Sequence, residues 1–306
     1  MVVRYKIEGE KLVQSNDGNL MFFTQLTPEE KRYLLDNLLI DEHTLNSSLD
    51  PEELARLEIE PEHFAFIIKA PKHHIAADEL LFRVQSIGIF LFKDKMVVVS
   101  QDPLTEFLNS KPFQKILSIK DVFFKIIYSF IVQFYNHLNT INRISDELEA
   151  KLSQAQENKY LLHLFSLEKS LVYYHNAINT NHFLLEKIKF NANKLNITDE
   201  EKELLEDILI ENNQCLRQAE TYSSILASLM DARASIIANN LNVLMKILNI
   251  ITITIMVPTF VVSLFSMNVF IPIAEYKHAF WIILGMCLVS AISFIIIWNM
   301  KINKIK

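Results

Sequence analysis

The chain has 306 residues, half of them hydrophobic, with only 4 glycines and a formal net charge of −6. That balance argues against nucleic-acid binding, which leans on Lys and Arg clusters to neutralise phosphates, and the glycine scarcity fits a largely helical protein. Two cysteines, Cys215 and Cys287, fall in separate helical segments, so neither a disulfide framework nor a zinc knuckle is expected.

Residues 1–110 read as an α/β domain. Tyr5-Lys6-Ile7 and the runs 65–68, 87–92 and 96–100 are rich in β-branched and aromatic residues, the composition of strands. Lys93-Asp94-Lys95 predicts a tight hairpin between the last two. Thr27-Pro28-Glu29-Glu30 predicts a helix start, with threonine as N-cap, proline in the first turn and acids at the positive dipole end. Asp50-Pro51-Glu52-Glu53 repeats that pattern and predicts a second start. His63, His73 and His74 read as solvated loop histidines rather than a metal cluster. Residues 1–19 lack the apolar core of a signal peptide, which predicts a cytoplasmic N-terminus. No nucleophile–base pair, phosphate-binding glycine loop or Cys/His motif is present, so an enzyme is not expected.

Residues 111–197 carry apolar side chains at helical spacing and predict a helical hairpin, with helices near 121–153 and 158–190 broken around 155–158. Thr198 and Glu201 then form a capping pattern that opens a new helix. No glycine interrupts it as far as Phe265. At 1.5 Å per residue that helix is on the order of 100 Å long, a stalk (198–246) running into a membrane. The acids Asp199, Glu200 and Glu201 complement the helix dipole, whereas Asp207 lies beyond that first turn.

Residues 247–265 and 279–300 carry no charge, and a bilayer core needs about 20 apolar residues per helix, so two membrane spans are predicted. Between them lies the loop 266–278, which opens on the polar tripeptide Ser266-Met267-Asn268. Its only charges are Glu275 and Lys277. Lys246 precedes the first span, and Lys301, Lys304 and Lys306 form a basic tail, 301–306. By the positive-inside rule both termini face the cytoplasm and the loop is external.

Steps of three and four along the stalk and first span trace one stripe. It holds Ser228, Asp231, Ser235, Ala238, Asn242, Met245, Asn249, Thr252, Met256, Thr259 and Ser263. None is Leu, Ile, Val or Phe, although Ile247, Ile250, Ile251, Ile253, Ile255, Val257 and Val261 crowd the flanks. Asn249, Thr252, Thr254, Thr259 and Ser263 are polar groups inside a span, where such residues face a partner helix or a water-filled cavity. Close helix packing accounts for threonine and serine. It accounts less well for two asparagines, two methionines and an aspartate in register, so a pore is the stronger reading. One helix cannot enclose a pore, which predicts a symmetric homo-oligomer. Met245 and Leu248 predict an apolar constriction able to gate by excluding water.

The stretch 242–248, followed by Met256-Val257-Pro258-Thr259-Phe260 and Phe265-Ser266-Met267-Asn268, resembles the CorA family of divalent-cation channels. That family has two C-terminal spans around a Gly-Met-Asn signature and a lysine-rich tail. The resemblance implies an α/β cytoplasmic domain, a long helical stalk and two transmembrane helices assembled as a pentameric funnel in the inner membrane. It implies transport of hydrated Mg²⁺, with Co²⁺ or Ni²⁺ as secondary ions and no cofactor apart from Mg²⁺ as transported and regulatory ion. Residue by residue, it gives Asn268 the outer-mouth ring and Asn242 the inner asparagine ring. Met245, Leu248 and Met256 fall on the hydrophobic rings and Asp231 on the cytoplasmic pore end. Asp207 falls on the intersubunit Mg²⁺-sensing site. Ser266 departs from the family's usual glycine, a residue that tolerates left-handed backbone.

Two other readings stay open on this sequence. One is a Zn²⁺ transporter on the same scaffold. The other is a non-conducting, membrane-tethered helical scaffold whose seam is packed dry. A transition-metal path would more naturally present His or Cys, and the seam has neither; His278 and Cys287 lie off it.

Overall fold

A computed structural model describes residues 2–72, 80–104, 115–154, 158–269, 271, 273 and 276–303. They fall into two compact units that meet in sequence at Met230 and Asp231. His73, His74, Glu275, Lys304, Lys306 and residues 155–157 of the expected helix break at 155–158 lie outside the described residues.

The first unit is built on a seven-stranded sheet. Its strands are β1 (Val2–Glu8), β2 (Lys11–Gln14), β3 (Leu20–Thr24), β4 (Arg56–Ile59), β5 (Phe64–Pro71), β6 (Val84–Leu91) and β7 (Met96–Ser100), in the order β2-β1-β3-β7-β6-β5-β4. Every neighbouring pair is antiparallel except β3 with β7. Between β3 and β4 run α1 (Pro28–Asp36) and α2 (Glu42–Ser47); after the sheet come α3 (Ile119–Gln154) and α4 (Asn158–Phe190).

The central strands are apolar at nearly every position because both faces of the sheet are covered. Leu20, Phe22, Met96 and Val98 face one side and join Val122, Phe123, Leu184 and Ile188 of α3 and α4. Met21, Phe23, Val97 and Val99 alternate to the other side and meet Leu34 and Leu45 of α1 and α2. The ring centroids of Phe66 and Phe123 lie 4.5 Å apart, fastening β5 to α3. A Cβ on Gly88 of β6 would come within 2.6 Å of the Ser48 Cβ, so this strand position admits α2 only as glycine.

Thr27 caps α1 as its sequence predicts, with reciprocal bonds to Glu30, and 93–95 is the hairpin connection between β6 and β7. The second expected helix start, Asp50-Pro51-Glu52-Glu53, is instead a turn. The Asp50 carboxylate does accept from the Glu52 N–H at 2.9 Å, as a cap would. However, the Asp50 carbonyl accepts from Ser86 Oγ and the Pro51 carbonyl from Lys69 Nζ, each at 2.6 Å. The Asp50 carbonyl also takes the Glu53 N–H at 3.2 Å, which closes the turn; side chains of β5 and β6 hold that turn in place, and β4 begins at Arg56. The local helix forms earlier, as α2, where Asp41 accepts from the Thr44 N–H at 2.9 Å.

His63 also departs from expectation. It is buried, not solvated, and stacks on Phe92 at 4.8 Å between centroids. Burial holds its imidazole below the ordinary value of 6.5, although Glu58, Glu60 and Glu62 pull the other way.

Candidate ion-conduction path

The second unit contains the latter part of α5 (Asp199–Phe265) and all of α6 (Ala279–Asn303). Both helices are long and apolar enough to cross a membrane. Thr198 caps α5 as expected: its hydroxyl accepts from the Glu201 N–H at 3.2 Å while the Glu201 carboxylate takes the Thr198 N–H at 2.9 Å.

Within the span, burial separates two faces of α5. Ile250, Thr254, Val257, Pro258, Val261 and Phe265 are half-buried, whereas Asn249, Thr252, Met256, Thr259 and Ser263 are exposed. At 3.6 residues per turn the two sets centre roughly 180° apart. The half-buried stripe is the one α6 covers, and the Cys287 thiol reaches the Pro258 carbonyl at 3.7 Å. Ile283, Cys287, Ser290, Ala291, Phe294 and Trp298 are the matching half-buried stripe of α6. The polar seam is therefore the face turned away from α6.

Thr254 lies off the seam, on the face toward α6, and its hydroxyl donates to the Ile250 carbonyl at 2.7 Å. Thr252 and Thr259 are bonded in the same way, to Leu248 at 2.9 Å and Ile255 at 2.7 Å. A hydroxyl whose proton is given to the backbone offers only lone pairs outward. On the seam these threonines are acceptors. Nothing in the sequence spacing marks that polarity; it follows from the rotamer.

Toward the start of the unit, Asp231, Asn242, Met245 and Leu248 are all exposed. At the other end Ser266, Met267 and Asn268 form the exposed turn that ends α5, with the Ser266 N–H on the Ser263 carbonyl at 3.2 Å. Non-glycine residues with positive φ among those described are Glu10, Gln25, Leu39, Leu80 and Asn196, so Ser266 keeps ordinary right-handed or extended backbone. Its turn makes no demand for glycine.

Asp207 belongs to the first unit. It is exposed and lines a cleft of about 550 Å³ with Lys125, Tyr128 and Glu211, one turn further along α5. Lys125 is already paired with Asp121 at 2.8 Å. Among the described residues no three His, Cys, Asp or Glu side chains gather to hold a metal. Cys215 is buried, and burial pushes its thiol up to about 12, which suits packing rather than reactivity.

The sequence profile of the CorA-like Mg²⁺ transporter protein family matches residues 21–301. The cobalt/magnesium transport protein CorA of Methanocaldococcus jannaschii is 26% identical over 286 residues, covering 89% of this chain and 87% of that protein. The complete structure of the CorA magnesium transporter from Methanocaldococcus jannaschii superposes with a TM-score of 0.83 at 21% identity, over 98% of this chain and 97% of that one. The full-length CmaX protein is also similar in fold, with a TM-score of 0.74 at 15% identity over 97% of each chain. With a sheet-and-helix first unit, a long helix and two apolar C-terminal helices as its architecture, the chain belongs to the family of CorA-like Mg²⁺ transporter proteins.

Proposed function

We propose that this chain assembles as a homopentamer in the inner membrane and conducts hydrated Mg²⁺ along the seam of α5, with both termini cytoplasmic. The observation that carries the reading is the disposition of the span. Asn249, Thr252, Met256, Thr259 and Ser263 face away from α6 and stay exposed, while the Ile, Val and Phe flanks are left for neighbouring helices or lipid.

The chemistry of the seam supports this ion. Mg²⁺ gives up its water reluctantly and prefers oxygen partners. The shell of a hydrated cation points hydrogens outward, so the complementary wall is made of acceptors. Thr252 and Thr259 are such acceptors because their protons are already donated to the helix. Asn242, Asn249 and Asn268 add amide oxygens. In this reading Asn268 rings the external mouth and Asp231 gathers cations at the inner end. Met245 and Leu248 narrow the path between them and gate it by excluding water. Asp207, on the first unit, serves as the contact through which cytoplasmic Mg²⁺ closes the channel, with its remaining ligands from a neighbouring copy.

Reconstitution into liposomes loaded with a fluorescent Mg²⁺ indicator tests the proposal. Mg²⁺ entry is expected to exceed Zn²⁺ entry, and Asn268→Ala is expected to cut Mg²⁺ entry by about tenfold or more, the equivalent of ~1.4 kcal/mol at the mouth. Zn²⁺ entry without Mg²⁺ entry, or full Mg²⁺ flux through Asn268→Ala, contradicts it.

A further inference from the structure

At one end of the sheet in the first unit, two buried acceptor atoms have no donor. Gln85 of β6 is only 4% exposed, and its Oε1 has no hydrogen-bond partner. Asp102, just beyond β7, has a buried Oδ2 that is likewise unpartnered. Gly88 with Val99 is the last pair of the β6–β7 ladder, and Gln85 and Asp102 both lie past that end of it. Both side chains line one cavity of about 260 Å³, together with Lys72, Gln133 and His137. The Gln85 amide nitrogen is weakly engaged with the Pro71 carbonyl at 3.4 Å. Tyr174 holds His137 Nδ1 at 2.7 Å.

A buried carboxylate oxygen without a donor is costly even on a half-buried side chain such as Asp102, and the buried Gln85 amide oxygen in the same cavity adds to the demand. Both atoms accept and neither donates, so what they lack is a donor, preferably one bearing positive charge. Lys72 lines the same cavity, yet no ion pair joins its ammonium to Asp102 among the described residues. Lys72 and Gln85 also line a neighbouring cavity with Glu52, Arg83 and Lys169, so a second carboxylate borders the space open to the lysine. A liquid-like water takes about 30 Å³. The space thus exceeds what six waters fill, and an ion fits with much of its hydration intact.

We infer that Asp102 and Gln85 form a binding site for a hard divalent cation of the Mg²⁺ class, with Lys72 as the competing resident charge. The carboxylate oxygen and the amide oxygen contact the ion or its inner waters. Binding displaces the Lys72 ammonium toward Glu52. The site stands apart from the seam of α5 and from Asp207, and it needs no conduction to be filled.

Mn²⁺ is the probe, titrated into the full-length chain in detergent with free Mn²⁺ followed by electron paramagnetic resonance. Asp102→Asn is expected to remove one bound Mn²⁺ per chain, and Gln85→Met to weaken that site. Lys72→Met is expected to tighten it by about fivefold, as loss of a nearby like charge should. Thermal melting in EDTA checks that each variant folds. Added Mn²⁺ should then raise the melting midpoint of the parent chain but not that of Asp102→Asn. Unchanged stoichiometry and an unchanged Mn²⁺-induced rise in Asp102→Asn mean that an ordered water alone serves these acceptors, and the inference fails. Affinity that stays level or falls in Lys72→Met removes the lysine from the site. Asn268→Ala is expected to keep this Mn²⁺, so loss of transport and loss of this site are told apart.

Discussion

Ser266 shows how a single departure from a motif can be structurally silent. Glycine is needed where the backbone turns left-handed, and the turn that ends α5 does not do so at this position. Ser266→Gly is therefore expected to leave Mg²⁺ flux in liposomes within about twofold of the parent chain, well inside the ~1.4 kcal/mol that a tenfold change represents. A collapse of flux in that variant means the serine hydroxyl itself contributes to the mouth. His63 makes the opposite point, because Glu60 and Glu62 precede it in sequence while its neighbours in space include Phe90 and Phe92. Its buried imidazole stays neutral below 6.5, where the unfolded chain takes up a proton. The unfolded state then binds more protons, and stability falls as pH drops through that range. Comparing melting at about pH 7.5 and about pH 5.5, the parent chain should lose more stability than His63→Phe; equal losses contradict the assignment.

Among the elements, those with local signals were legible in the sequence. Thr27 with Glu30 and Thr198 with Glu201 announce α1 and α5 through capping bonds made within four residues. The β-branched run Val97-Val98-Val99 of β7 is likewise written into consecutive positions. What failed was the element whose outcome depends on distant chain: Lys69 and Ser86 turn residues 50–53 away from helix. The same dependence fixes the sheet edge. Beyond the end of β4, Asn181 of α4 takes the Lys69 N–H at 2.9 Å and donates to the Lys69 carbonyl at 2.8 Å, standing in for a strand. Asn181→Ala strands two buried backbone groups and should cost about 2–4 kcal/mol, read as a fall in the denaturant midpoint. A loss under about 0.5 kcal/mol contradicts this role for the amide.

For the molecule as a whole, the spacing of polar residues along α5 was visible in the sequence, but its meaning was not. A stripe of small and polar residues serves a dry helix interface as well as a wet path. Within the chain, α6 covers the face of Thr254, Pro258 and Val261 and leaves that of Asn249, Met256 and Ser263 open, so the seam is not the face packed on α6. Asp207 was less legible, since its ligands in the proposed sensing site come from another copy of the chain. The most direct test of the conduction path replaces Cys215 and Cys287 with serine and scans single cysteines through residues 249–263 of the reconstituted protein. A membrane-impermeant thiol reagent is then applied. Labelling is expected at 249, 252, 256, 259 and 263, with protection at 250, 254, 257 and 261. A seam that resists the reagent as firmly as the α6-facing positions contradicts a water-filled path.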